Sequence, residues 1–355
     1  MEWRNQLEPG ALIGHFGGNP PQGFSLFRGL PLPAFIAPFD LLTTADEDLK
    51  SKLAELPLFA RWSRWLRLTT GFVGTTVTEY APLPPTGHKP EELAESVRQT
   101  LGKRYLLSII KDIPQQCPML SDSDNAYAQA LVQACEAQGF VLVEGQALAY
   151  VPIDFDHLDT YLSRLSSSRR QNLRRKWRSR SGMQVHHLPT GPAFADDDVV
   201  DSYYALYEGV YAQSEVHFDK LTRSFFAALL RDASSQGVVF EYRRVDTQEL
   251  LGWNLCYVHA GRLVDKYIGM SYPAAREVNL YFVSWLENLQ YAIDHGLTHY
   301  VAGWTDPEVK RSLGASFTFT RHAVYVRQPL LRAVARRFAS RFESDRQWRD
   351  QLEQR

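Results

Sequence analysis

Long apolar runs are missing from this chain: stretches such as 105–110 fall far short of the ~20 residues a membrane-spanning helix needs. The opening MEWRNQLEPG lacks a basic stretch followed by an apolar segment, so no export signal is visible. Charge of either sign is also not in excess. Lys and Arg total 39 against 40 for Asp and Glu, which excludes a global field drawing the chain onto nucleic acid or a charged bilayer. Cysteine is scarce. Cys117, Cys135 and Cys256 are odd in number and lack metal-ligand spacing, which excludes a disulfide framework and suits a reducing, cytoplasmic setting. His295 and His299 have i, i+4 spacing, but Gly296 interrupts the helix between them and no acidic ligand is patterned nearby, so no metal is expected. The glycines of GHFGGN follow no strand and make no nucleotide loop.

What is present suits a large core. With 355 residues and 45% apolar content, the length favours two domains. Residues 1–33 read as an irregular lead-in. The segment 34–156 reads as strand, helix, strand, helix and hairpin, with strands at 34–42 and 68–80, a helix opened by Pro90, a second helix over 123–138, and two strands joined at 144–146. A basic helical connector spans 157–181. Residues 182–328 then hold two helices and three alternating runs at 238–244, 251–258 and 263–270, which predict an antiparallel meander. A helix over 276–295, the strand THYVAGW, a helical turn at 307–313 and the strand SFTFTRHAVYVR follow. Terminal helices are expected at 329–342 and 344–354, within a C-terminal segment 329–355.

The stretches LSSSRRQNLRRKWR, FDKLTRSFFAALL, VNLYFVSWLENLQYAIDHGL and YVAGWTDPEVKRSLGASF resemble the FemAB-type branch of the GNAT acyltransferases. That resemblance implies an α/β (α+β) fold of two tandem GNAT-like domains, each a mixed, largely antiparallel sheet flanked by helices. It also implies direct acyl transfer without a covalent enzyme intermediate. Between the meander and the next helix a typical GNAT carries a glycine-rich loop whose N–H groups cradle a pyrophosphate. Here that position reads GMSYPAAREVN, which leaves two donors open: acyl-CoA, taken as the leading one, and aminoacyl-tRNA. No permanently bound cofactor is expected.

Transfer to an amine needs a positioned carbonyl, stabilisation of the oxyanion and a route for the proton. Lys310 and Gly314 match the family's Lys-x-x-x-Gly motif, and a lysine there could hold a phosphate or the oxyanion as a point charge, with Arg311 beside it. Asp306 could take the amine proton, but before Pro307 the favoured reading is an ordinary helix N-cap. Tyr267 could protonate a leaving group or simply fill the sheet surface, while its neighbour Asp265 reads as an alternating-face residue. Asn279 and Trp304 stand where donor or acceptor could be bound. From Arg164 to Arg180 the chain is rich in arginine and free of acids. On one helical wheel Arg169 falls among Leu158, Leu162, Leu165, Leu173 and Trp177, which singles it out as the candidate anion ligand, while the other basic residues read as a solvated face, with RNA or anionic lipid contact as the alternative.

The expected function is N-acyl transfer from acyl-CoA to the amine of a small-molecule or peptide acceptor held in an inter-domain cleft. The alternatives are an aminoacyl-tRNA-dependent ligase of the FemX type and a non-catalytic binding protein. Oligomeric state is open.

Overall fold

The computed structural model of the chain describes residues 3–43, 47–214 and 218–339. In chain order the elements of the first part are α1 (Ala11–Gly18), β1 (Ser25–Leu26), β2 (Ala34–Asp40), α2 (Glu47–Ala54), α3 (Phe59–Trp62), β3 (Arg67–Val73), α4 (Pro90–Arg104), β4 (Leu107–Gln115), α5 (Asp122–Ala137) and β5 (Val141–Pro152). There follow α6 (Leu158–Ser163), α7 (Ser167–Trp177), β6 (Met183–Pro189), α8 (Asp197–Gln213), α9 (Arg223–Arg231), β7 (Gly237–Arg244), β8 (Leu250–His259) and β9 (Arg262–Met270). The last are α10 (Ala274–Glu277), α11 (Leu280–Asp294), β10 (His299–Gly303), α12 (Pro307–Ser312), β11 (Ser316–Val326) and α13 (Pro329–Phe338).

The chain forms two compact units. Unit 1 takes the described parts of 1–6, 20–147 and 318–355, and unit 2 takes 7–19 and 148–317. In unit 1 the strands run in the order β1, β2, β3, β4, β11, with β3 and β4 parallel and the other pairs antiparallel. Helices α4 and α5 cover this sheet because their apolar residues recur at helical spacing: Leu93, Val97 and Leu101 on α4, and Ala128, Leu131, Val132 and Cys135 on α5, are all buried. Pro90 opens α4, where the Lys89 N–H donates to the Glu92 carboxylate at 3.2 Å, and the Ser121 hydroxyl caps α5.

Unit 2 repeats the theme. Its order is β5, β10, β9, β8, β7, β6, with the β9/β10 pair parallel and the rest antiparallel. Ala260 and Gly261 both take positive φ between β8 and β9, the conformation a tight hairpin requires. Leu280, Val283, Leu286 and Leu289 of α11 fill its core, with Trp285 packed edge-on against Tyr300. The fold is thus the expected mixed α/β arrangement of two units, each a mixed, largely antiparallel sheet flanked by helices.

Several expectations are corrected. The lead-in is not irregular throughout: α1 forms within GHFGG, burying Leu12 and Phe16 one turn apart, packing on α9 and pairing His15 with Asp232 at 2.8 Å. Those two apolar positions are too few to stand out among glycines. The hairpin at 144–146 is one continuous strand, β5. Gly145 marks a close approach rather than a turn, since a Cβ there would stand 2.2 Å from the Thr320 Oγ1. The strand over 68–80 ends at Val73, and the 276–295 helix is broken at Val278 and Asn279, the latter at φ 56°. The unit boundaries also differ. Residues 157–181 belong to unit 2 and not to a separate connector, α1 joins unit 2, and β11 crosses into unit 1 because its later residues pair with β4. The expected helix at 344–354 lies outside the described residues.

Candidate functional site

The parallel ladder of β9 and β10 is short, pairing Arg262 to Val264 with His299 to Val301. Beyond it β9 runs on to Met270 against β8 alone, so the two strands part company at Asp265. Brief parallel pairing followed by divergence opens a fork inside unit 2, and the chemistry of the unit collects there.

Asp265 sits at the fork's origin. Its carboxylate accepts hydrogen bonds from the Asn288 amide at 3.0 Å, the Tyr300 hydroxyl at 3.1 Å and the Asn254 amide at 3.4 Å. Tyr242 in turn donates to Asn254 at 2.9 Å, and Asn254 donates to Asn288 at 3.1 Å. This network draws on β7, β8, β9, β10 and α11. Burial raises the Asp265 pKa to about 6, against the opposing pull of the Tyr300 hydrogen bond and the Lys310 charge. Asp265 retains some exposed surface as a residue, but its carboxyl is enclosed by these donors.

Lys310 is 4% exposed, an unusual degree of burial for a lysine. It lies on α12, and a Cβ built on Gly303 at the end of β10 would stand 3.9 Å from its Nζ and 3.9 Å from the Asp265 carbonyl oxygen. A third group faces the same place from α11. The Tyr281 hydroxyl is buried and has no hydrogen-bond partner among the described residues. Burial, then the charges of Asp306 and Asp265, raise its pKa. An orphaned buried hydroxyl costs free energy unless a ligand satisfies it.

The remaining predicted residues fall around this fork. Asp306 stands at the N-cap position of α12 at φ 52°, as the cap reading has it, but its exposed side chain makes no capping hydrogen bond. Gly314 ends α12 at φ 88°, and a Cβ there would press within 2.9 Å of the Leu165 side chain. Tyr161 donates to the Leu313 carbonyl and accepts from the Trp285 indole at 2.9 Å, which ties the end of α12 to the core. Trp304 precedes α12 and Arg311 lies in its last turn, both half-buried. The Asn279 amide donates to the Ser179 hydroxyl at 3.4 Å. The Tyr267 ring packs edge-on against Phe225 and Phe226 of α9, with centroids at 5.9 and 5.3 Å, which matches the aromatic-filler alternative for its ring.

Arg169 is exposed and does not lie among the leucines of one continuous helix. The chain breaks between α6 and α7, which resets the helical phase. Leu162, Leu165 and Leu173 are buried as expected. Arg169 does line a groove with Asn172 and Lys176 of α7, Phe282 of α11, and Ser312 and Leu313 at the end of α12. The Lys176 ammonium stands 3.0 Å above the Phe282 ring centre, and burial lowers its pKa. Of the neighbouring cations, Arg164, Arg174 and Arg180 are engaged by Asp154, Asp159 and Glu287. Helix α12 therefore offers Lys310 to the fork and its C-terminal end to a cationic groove. Among the described residues no cluster fit to hold a metal ion is found.

Two units of mixed sheet, one of them with a buried lysine beside a forked parallel pair, make up this α/β protein. The model of the FemAB-like family, described as peptidoglycan biosynthesis/recognition, matches residues 79–354, and the chain belongs to that family. No curated protein matches the sequence significantly. Among solved structures, L-PGS from Bacillus licheniformis is similar over 96% of this chain and 99% of its own, with a TM-score of 0.51 at 11% identity, which supports the fold. FemX covers 91% of this chain and 97% of its own at 11% identity and a TM-score of 0.49. The C-terminal domain of a putative lysylphosphatidylglycerol synthetase from Agrobacterium fabrum covers 75% and 80% at 12% identity, also with a TM-score of 0.49.

Proposed function

We propose that the protein is an N-acyltransferase that passes an acyl group from acyl-CoA directly to the amine of a small-molecule or peptide acceptor. The observation that carries this reading is the fork itself, where an enclosed carboxylate, a buried lysine and an orphaned hydroxyl come together. In the proposed reaction the amine nitrogen attacks the thioester carbonyl and the Lys310 ammonium stabilises the oxyanion. Asp265, ionised near neutral pH yet more basic than an ordinary carboxylate, accepts the amine proton. The C–S bond then breaks, and the departing thiolate takes up the proton that Asp265 received from the amine, while the Tyr281 hydroxyl donates a hydrogen bond to the sulfur and keeps its own proton. The groove of Arg169 and Lys176 receives the phosphates of the donor.

The arginine-rich α7 supports a second reading, in which the phosphates are those of aminoacyl-tRNA and an ester replaces the thioester. Purified protein challenged with acetyl-CoA and with aminoacyl-tRNA separates the two, each with an amine acceptor panel and product detection by mass. Under either donor, Lys310→Met is expected to cut kcat about 100-fold or more with the circular-dichroism melt retained. Unchanged turnover would remove Lys310 from the chemistry, and absence of transfer with both donors would favour a non-catalytic binding protein.

A further inference from the structure

One end of unit 1's sheet carries an amphipathic surface that neither the fork nor the groove uses. The strand register defines this end: Asp40 pairs with Arg67, Thr70 with Leu107, and Leu107 with Val326. The C-terminal ends of β2 and β11 and the N-terminal ends of β3 and β4 therefore lie together. The excursion between β2 and β3 leaves and returns here, and α13 starts here. Both segments expose large apolar side chains: Leu58 is 66% and Trp65 71% exposed in the first, and Leu330 is 84% exposed on α13, where Leu331, Val334 and Phe338 are also exposed. Such groups are costly in water, and two sets of them carried at the same end of one sheet mark an interaction surface.

Cations accompany both sets. Arg61, Arg64 and Arg67 stand near Trp65 in the chain, Arg336 and Arg337 lie on α13, and the exposed Lys103 lies in the last turn of α4 at the same sheet end. Residues 56–67 and 327–338 contain no acidic side chain; Asp40 and Glu55 stand just outside them. We propose that this end of unit 1 docks on an anionic lipid bilayer surface, with Trp65, Leu58 and the apolar face of α13 entering the headgroup boundary and the arginines meeting lipid phosphates. A second copy of the chain is disfavoured because an isologous pairing would bring like charges together. RNA would satisfy the arginines and leave Leu330 and Trp65 in water.

The test is vesicle co-sedimentation of the full chain with phosphatidylcholine alone and with about a third phosphatidylglycerol. Binding to the anionic vesicles only, weakened by salt, is expected. The double change Leu330→Ser and Val334→Ser should reduce partitioning roughly tenfold or more, and Arg336→Glu with Arg337→Glu should do likewise. Both pairs are exposed, so thermal melts should match the parent and separate lost docking from lost folding. No binding to anionic vesicles at low salt overturns the proposal, as does parent-like partitioning of both variants. A dimer in sedimentation velocity that the serine variant dissolves would overturn it in favour of a second copy. RNA capture lost in the glutamate variant but kept in the serine variant would overturn it in favour of RNA.

Discussion

Burying a carboxyl and letting it ionise are opposed demands, and Asp265 meets both through its donors. Its pKa of about 6, raised by burial from 3.8, means that folding favours the protonated form. The stabilising contribution of that proton is therefore fully present below the unfolded value and is lost as pH rises through the folded one. Between about pH 4 and pH 6 the parent should lose up to about 3 kcal/mol relative to Asp265→Asn, read from denaturant melts across that range. Activity should move the other way. The proposed base works as the carboxylate, so kcat/KM should rise through an apparent pKa near 6 and then level off. The asparagine variant should lack that limb; a rising limb that survives in it would exclude Asp265 as the proton acceptor. Sequence could not single out this residue. Alternation placed it on a strand face, but its donors come from β8, β10 and α11, which local patterning does not bring together. Lys310 was legible through its motif, whereas Tyr281 lay in an apolar helix where one more aromatic is unremarkable.

At the scale of elements, the meander of β7, β8 and β9 was readable almost to the residue because its strands alternate and its turns carry turn chemistry. Failures arose where one residue type serves two ends. Gly145 suggested a turn and is instead a close approach, which makes a direct prediction. A Cβ 2.2 Å from the Thr320 Oγ1 forces a shift of the neighbouring strand, so Gly145→Ala should cost about 1–3 kcal/mol of stability in a denaturant melt. Similarly, the basic stretch within 157–181 suggested one helical wheel, whereas Arg164 to Ser166 end one helix and start another. The groove created by that break has its own test. Arg169→Ala with Lys176→Ala should raise KM for a phosphate-bearing donor about tenfold while leaving kcat within a factor of two or so, because the pair binds the donor away from the reacting carbonyl. A large fall in kcat with unchanged KM would place these cations in the chemical step instead.

The division of the chain into two units is a non-local property, and the pattern of one strand cannot declare where it pairs: β11 follows the elements of unit 2 in sequence, yet its later residues ladder with β4. Each unit has its own apolar cluster, one around Leu101, Ile110 and Leu131 and the other around Val283, Leu286 and Leu289. All of the proposed donor contacts belong to unit 2. A ligand that binds only the folded state stabilises it by RT ln(1 + [L]/Kd), or about 2.7 kcal/mol at a hundredfold excess over Kd. Hydrogen exchange with saturating coenzyme A, compared with the same protein in inorganic phosphate, therefore gives a regional readout that needs no acceptor. Amides of α7, α12 and the fork-side half of β9 should slow by up to about 100-fold, while those of α4, α5 and β4 exchange as before. Protection centred on α4 and β4 would put the donor in unit 1 and separate it from Lys310, and with it the whole proposed chemistry of the fork.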